Sequence, residues 1–451
     1  MAKAKNLFVC QQCGTEHSKW MGQCQGCKEW NTLVEEVVVP QNKADKRAWS
    51  GGAPDTRPTL LHEVEGSQVR RYPISDDECS RVLGGGIVPG SVTLLGGEPG
   101  IGKSTLLLQL AMQFTGVVAY ISGEESKAQI KLRADRMGTA VSKLYLLNET
   151  KVEQLFVQLQ QIKPQLVIVD SIQTVHVAHI ESTPGSVAQI RESAASFIRY
   201  AKESGIPVIL IGHINKEGSI AGPKILEHMV DLVLQFEGDP NLIYRILRAH
   251  KNRFGSTHEI GLYTMEQGGL KGVANPSDLL LTKEHDGLSG NAVAALLEGV
   301  RPMLIEIQAL VSTAVYGTPQ RSTTGFDTRR LNMLLAVLEK RCGFRLGQKD
   351  VFLNITGGLK VDDPGLDLAV VAAILSSNSD DPIGERICFA AEVGLTGEVR
   401  PVSRVENRIR EAEKLGFTKV FVSSHNTLEK SHYAIDIVGL SKIEELVQAL
   451  F

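Results

Sequence analysis

No stretch of this 451-residue chain is long and apolar enough to span a bilayer, and no charge excess marks it for a polyionic partner. Lys and Arg number 48 against 51 Asp and Glu, so any surface for nucleic acid must be a local one. The opening residues Met1-Ala-Lys-Ala-Lys5 lack the apolar core of a signal peptide, and cytoplasm without membrane association is the expectation. No short internal repeat is evident. Cysteine is scarce, and outside one tight cluster only Cys79, Cys342 and Cys388 remain, too scattered to read as more than core or surface residues. What is present is ordinary: 43% hydrophobic residues and enough length for two or three domains, each with its own core.

The other four cysteines form two knuckles, Cys10-x-x-Cys13 and Cys24-x-x-Cys27. Four thiolates at this spacing suit the tetrahedron of a structural Zn²⁺ and leave no open position for catalysis. Disulfides or a redox pair are disfavoured in a reducing compartment. Trp20 and Trp30 could pack beside the metal, since roughly thirty residues cannot build a core without a staple. Lys3, Lys5, Lys19 and Lys28 outnumber Glu16 and Glu29, so the module (residues 1–33) is mildly basic.

A polar linker (residues 34–60) leads to an α/β domain, residues 61–272, in which short apolar runs alternate with helical segments. Within it lies a complete phosphate loop, Gly97-Glu98-Pro99-Gly100-Ile101-Gly102-Lys103-Ser104. It follows the run Ser91–Leu95 and opens a helix through Thr105 to Phe114. Its glycines let backbone N–H groups curl around phosphate oxygens at a helix N-terminus. Lys103 is placed to reach the β/γ-phosphates of ATP or ADP, and Ser104 to hold Mg²⁺.

Strand ends supply the other candidates. Leu166–Val169 runs into Asp170, about 65 residues after the loop and suited to Mg²⁺, with Ser171 and Gln173 just beyond. Val117–Ile121 runs into Ser122-Gly-Glu124-Glu125. Glu124 there is the candidate base that orients the attacking water, the alternative being that these acids cap the next helix. Val208–Ile211 runs into Gly212 and His213, a candidate γ-phosphate sensor. Further strands are expected at Leu232–Phe236, Ile243–Ala249 and Ile260–Thr264, and helices at Ser126–Met137, Val152–Gln161 and Val187–Glu203. A second linker, residues 273–286, precedes another α/β segment, residues 287–451. There, between Arg321 and Lys349, seven basic side chains face only Asp327 and Glu339, and Asp327–Lys340 reads as a capped amphipathic helix.

With these motifs in place, the central domain resembles the RecA-type ATPase core. The whole chain resembles the bacterial RadA (Sms) DNA-repair family. The zinc module, the phosphate loop, the pentad Lys251-Asn-Arg-Phe-Gly255 and a C-terminal domain similar to the Lon protease domain carry that resemblance. The resemblance implies a homo-oligomer, a hexameric ring, with ATP between subunits and Lys251 and Arg253 reaching a neighbour's γ-phosphate. It implies that the loop Asn215–Lys224 touches single-stranded DNA, and that the activity is ATP-driven branch migration of branched DNA alongside the RecA recombinase. The Lon-like domain departs from its model: Gly365-Leu366-Asp367 offers no serine nucleophile and Glu406 stands where the lysine base belongs, so proteolysis is not expected. The basic run in this domain is the candidate for DNA contact, with subunit contacts as the rival use. The competing functions are a Lon-like protein remodeller and a nucleotide-switched regulator similar to KaiC.

Overall fold

A computed structural model describes residues 5–10, 15–38, 60, 70–138, 143–212, 225–238, 244–281, 287–314, 318–358, 361–429 and 432–450. Cys13, His213 and the loop Asn215–Lys224 lie outside them, as does most of the first linker. The chain divides into two compact units, Met1–Val273 and Ala274–Phe451.

The first unit begins with a small antiparallel sheet of order β2-β1-β3, from β1 (Lys5–Cys10), β2 (Glu16–His17) and β3 (Leu33–Val38). After the short helix α1 (Asp77–Val82) come β4 (Val92–Gly97), α2 (Lys103–Gln113), β5 (Val117–Ser122), α3 (Lys127–Met137) and β6 (Lys143–Leu147). They are followed by α4 (Val152–Ile162), β7 (Leu166–Asp170), α5 (Val187–Ser204), β8 (Val208–Ile211), α6 (Ile225–Met229) and β9 (Leu232–Glu237). The meander β10 (Tyr244–Asn252), β11 (Ile260–Glu266) and β12 (Gly269–Gly272) completes a nine-stranded sheet of order β12-β11-β10-β9-β4-β8-β7-β5-β6.

Strands β9, β4, β8, β7, β5 and β6 run parallel. Their pleat sorts side chains onto two cores. Leu95, Val118, Tyr120, Ile168 and Ile209 pack with α2 on one face, while Leu94, Ala119, Val167, Val169 and Leu210 pack with α4 and α5 on the other. Burial on both faces is why these strands read as continuous apolar runs. The arrangement gathers the carboxyl ends of β4, β5, β7 and β8 at one edge, where open parallel sheets bind ligands.

The second unit holds α7 (Ser277–Leu280), β13 (Asn291–Glu298), β14 (Arg301–Thr313), β15 (Arg321–Thr324), α8 (Thr328–Cys342), β16 (Lys349–Ile355) and α9 (Asp367–Ser379). The chain ends with β17 (Ile387–Ala390), β18 (Glu392–Val393), β19 (Val399–Arg400), α10 (Val405–Lys414), β20 (Lys419–Ser423), β21 (Asp436–Leu440) and α11 (Ile443–Leu450). Its sheet has the order β15-β16-β14-β13-β17-β20-β21, and β18 pairs with β19 apart from it. Residues 367–376 of α9 are all buried. Helix α8 starts as its capping residue dictates, with Asp327 Oδ1 accepting from Arg330 N at 2.8 Å. Within the segment read as the second linker, Ser277 is buried and its Oγ accepts from Leu304 N at 3.0 Å.

Candidate nucleotide site and metal centre

The phosphate loop leaves β4 at Gly97 and enters α2 at Lys103. Gly100 and Gly102 have φ of 79° and 115°, left-handed values that favour glycine, and a Cβ on Gly97 would meet Phe236 O at 2.5 Å. Glu98, Pro99 and Gly100 are exposed, Ile101 is buried, and Ser104 and Thr105 are half-buried at the helix start. Helix α2 has no side-chain cap and no acid in its first turn, so its N–H groups and positive dipole end are left for an anion. Lys103 is buried and donates to Gly97 O at 2.8 Å and Glu98 O at 2.9 Å. Burial pulls its ammonium pKa down to about 8, against the opposing pull of Asp170, Glu124 and Glu98.

Asp170 and Ser122 face each other at the ends of β7 and β5. Asp170 is buried, which raises its pKa, while hydrogen bonds from Tyr120 (Oη to Oδ2, 2.6 Å) and Ser104 oppose the rise. A hydroxyl and a carboxylate, both hard oxygen donors, therefore meet at Ser104 and Asp170, and these are the residues that would hold Mg²⁺. Tyr120 was not legible as a partner because it reads as one more core aromatic.

Glu124 and Glu125 part company. Ser171 Oγ donates to Glu124 Oε1 at 2.7 Å, which places that carboxylate beside the Asp170 strand end. Glu125 instead takes a two-pronged bond from Arg133 of α3, one arm at 2.9 Å. Neither acid caps α3, contrary to the alternative drawn from sequence. Ser126 does so, in a reciprocal box with Gln129. The turn is held by Asn148 Nδ2, which donates to Glu125 O at 2.6 Å, and by Gly123, where a Cβ would meet Thr174 Oγ1 at 2.2 Å.

Lys251 and Arg253 lie elsewhere. Lys251 pairs with Val233 and Asn252 with Leu232, beside Leu94 and Thr93 of β4, whereas the phosphate loop leaves β4 at Gly97 beside Phe236. Three or four residues of strand, about 10–13 Å, separate the pentad from its own loop, at the opposite end of the sheet. Lys251 Nζ donates to three carbonyls at the end of α6, those of Glu227 (2.8 Å), His228 (3.1 Å) and Val230 (2.8 Å). Arg253 is exposed; its Nη1 lies 3.4 Å from Asp231 Oδ1, and its backbone N donates to Asp231 O at 3.2 Å. That carboxylate is already bonded to Val92 N and Lys202. Arg71 Nη2 donates to Phe254 O at 2.6 Å and fixes the turn.

In the small N-terminal sheet, the sulfurs of Cys10, Cys24 and Cys27 lie within 4.8 Å of one another, with Cys10 and Cys27 at 3.6 Å. A Zn–S bond of about 2.3 Å gives tetrahedral edges of about 3.8 Å, so the three thiols fit a zinc site. His17, which sequence reasoning passed over, is buried with Nε2 at 3.4 Å from Cys24 Sγ. Trp20 and Trp30 do not pack beside the cluster: they are 58% and 67% exposed, and the interior is filled by Cys10, Cys24 and Leu33.

The Lon-like region of the second unit is occupied by ion pairs. Asp367, fully buried, is gripped by Arg330 (Nε to Oδ1, 2.6 Å) and accepts from Val393 N. Arg408, 1% exposed, binds Asp363 through both nitrogens, at 2.6 and 3.2 Å. Glu406 is exposed. Of the seven basic residues between 321 and 349, Arg321 is bonded to Asn332, Arg330 to Asp367 and Lys349 to Asn378, while Arg329, Lys340, Arg341 and Arg345 are exposed.

Strand order and loop geometry together make this an α/β P-loop ATPase of the RecA type, with a zinc ribbon before its core and a Lon-like domain after it. Residues 57–219 match the family model described as AAA domain, residues 8–35 that of the rubredoxin metal binding domain, and residues 306–426 that of subunit ChlI of Mg-chelatase. The chain belongs to the family of the DNA repair protein RadA. It is 48% identical to that of Bacillus subtilis and 47% identical to that of Halalkalibacterium halodurans, each over 99% of both chains. The protein of that name from Streptococcus pyogenes is 46% identical over all of both chains. Among solved structures, a KaiC-like protein of Pyrococcus horikoshii is similar over 46% of this chain and 99% of its own (TM-score 0.38, 19% identity). The RadB recombinase is similar over 45% of this chain and 99% of its own (TM-score 0.37, 22% identity). The cofactors of these domains are ATP with Mg²⁺ and a structural Zn²⁺.

Proposed function

We propose that this chain is a DNA-dependent ATPase, a cytoplasmic motor of recombinational repair. It grips single-stranded DNA and drives branch migration of recombination intermediates together with the RecA recombinase. The observation that carries the reading is the separation of Lys251 and Arg253 from their own phosphate loop by the depth of the sheet. Two basic residues held away from the phosphates of their own chain suit a role on a neighbour's, and the reading takes the assembly as a closed ring, a hexamer.

In that ring Lys103 and the N–H groups of residues 97–105 bind the β/γ-phosphates, and Ser104 and Asp170 hold Mg²⁺. The ion supplies charge neutralisation on the transferring phosphoryl group. Glu124, held by Ser171, orients the water and accepts its proton. His213 follows β8 and reads the γ-phosphate. Arg253 and Lys251 of the adjoining subunit offset charge that grows on the γ-phosphoryl oxygens. DNA contact falls to the loop Asn215–Lys224 and to Arg329, Lys340, Arg341 and Arg345.

The protein-remodelling alternative is disfavoured by chemistry. Gly365-Leu366-Asp367 offers no serine and Glu406 stands where a lysine would be needed, and Asp367 is committed to Arg330. The test is ATP turnover with and without single-stranded DNA in the wild type, Lys103→Ala and Lys251→Ala. DNA should stimulate the wild type severalfold, Lys103→Ala should be inert, and Lys251→Ala should bind nucleotide and DNA without stimulated turnover. Stimulation by an unfolded protein and not by DNA would overturn the proposal.

A further inference from the structure

The zinc ribbon leaves its two largest side chains outside. Its interior is built from Cys10, Cys24, Leu33 and His17, with Phe8, Met21 and Cys27 partly buried around them. Trp20 and Trp30 remain 58% and 67% exposed. Tryptophan is on average among the well-buried residues, and burying even part of such a ring would gain a module this small a great deal. Their position outside therefore does not come from packing.

The backbone also holds Trp30 firmly. Gln23 and Trp30 pair across the second knuckle, and Asn31 N donates to Gly22 O at 2.7 Å. Lys28 N bonds back to Cys24 O at 2.8 Å, and Cys24 N to Glu29 O at 2.9 Å. The Trp30 ring rests on Gly22, where an added Cβ would meet Cζ3 at 3.4 Å. Gly22 is only two residues from Trp20, so the Trp20 backbone enters the short hairpin that carries Trp30. Exposed Lys19 directly precedes Trp20, and exposed Lys28 stands two residues before Trp30, with the exposed acid Glu29 between them.

Rigid exposed rings interleaved with cations on a scaffold too small to offer a broad apolar face are the chemistry that takes unpaired bases. A stable protein partner would need to bury about 1,000 Å² in total, about 500 Å² of it on this module, in complementary contact. We propose that Trp20 and Trp30 form a stacking platform for unpaired nucleotide bases, with Lys19 and Lys28 on the adjoining phosphates. This rests on the reading of the chain as a single-strand-binding ATPase and assigns the zinc module a direct share in that grip.

The test uses the full-length protein, labelled (dT)20 and an abasic strand of the same length. Wild type should bind (dT)20 about tenfold or more tightly over the abasic strand, since stacking acts on bases only. Trp20→Ala and Trp30→Ala should each lose most of that preference with zinc content and salt slope unchanged, and Trp→Phe variants should retain most of it. Lys19→Ala with Lys28→Ala should lower the salt slope instead. Should the alanine variants lose zinc, a Trp49→Phe protein reports directly. Its remaining emission comes from Trp20 and Trp30 alone, and (dT)20 but not the abasic strand should quench it. Equal binding of both strands, or alanine variants that bind (dT)20 like wild type, would overturn the platform and leave the DNA reading standing. Failure of the wild type to bind either strand would overturn both.

Discussion

Lys103 shows how far a residue's surroundings can move its chemistry. Burial brings its pKa to about 8, so in the free protein a sizeable share of the side chain is neutral just above that pH. Phosphate oxygens favour the ammonium, and ATP binding must then take up protons and weaken as pH rises through about 8. Calorimetry at pH 8.5 in buffers of differing ionisation enthalpy should show this uptake in the wild type and not in Lys103→Arg, whose guanidinium stays charged. The paired acids after β5 give a second contrast. Glu124→Gln should cut turnover by about 10²–10⁴-fold with ATP binding retained. Glu125→Gln should leave turnover within a few-fold and, by breaking a half-exposed pair with Arg133, cost at most about 1 kcal/mol of stability. Single-turnover kinetics and urea unfolding read the two effects.

At the scale of elements, what burial dictates was legible and what long-range partners dictate was not. Strand β8 was read to the residue, and α2, α4 and α5 to within one residue at either end, because apolar periodicity and Gly, Ser or Pro punctuation mark them. Strand β6 was missed. It is an edge strand whose exposure alternates, and Lys143-Leu-Tyr-Leu carries no run to betray it. The indoles were misplaced because composition cannot tell a staple from a surface. The Arg408–Asp363 pair was illegible for a related reason, its partners being 45 residues apart. It also yields a prediction: Arg408→Leu leaves a largely buried carboxylate with only the N–H donors of Leu297 and Gly365 and should destabilise the second unit by about 3 kcal/mol. Adding Asp363→Asn should recover part of that loss, measured by urea unfolding of the full chain.

For the whole molecule, the proposed sharing of the site between copies implies complementation. Lys103→Ala and Lys251→Ala chains are each expected to be inactive alone. Mixed one to one, about a quarter of the interfaces regain both intact halves, and DNA-stimulated turnover should return toward that fraction. No recovery in mixed rings of confirmed exchange would place Lys251 in its own chain's service. The three carbonyls that hold Lys251 give such a ring a timing rule. An ammonium has three hydrogens, and all three are spent on the end of α6, the stub that follows the segment read as the DNA loop. To serve a neighbour's phosphate, the same nitrogen must let go of that stub. In the proposed ring, one subunit's readiness to hydrolyse and the next subunit's hold on its strand would thus draw on a single side chain's valence, and adjoining subunits would be kept out of step by the arithmetic of one amine.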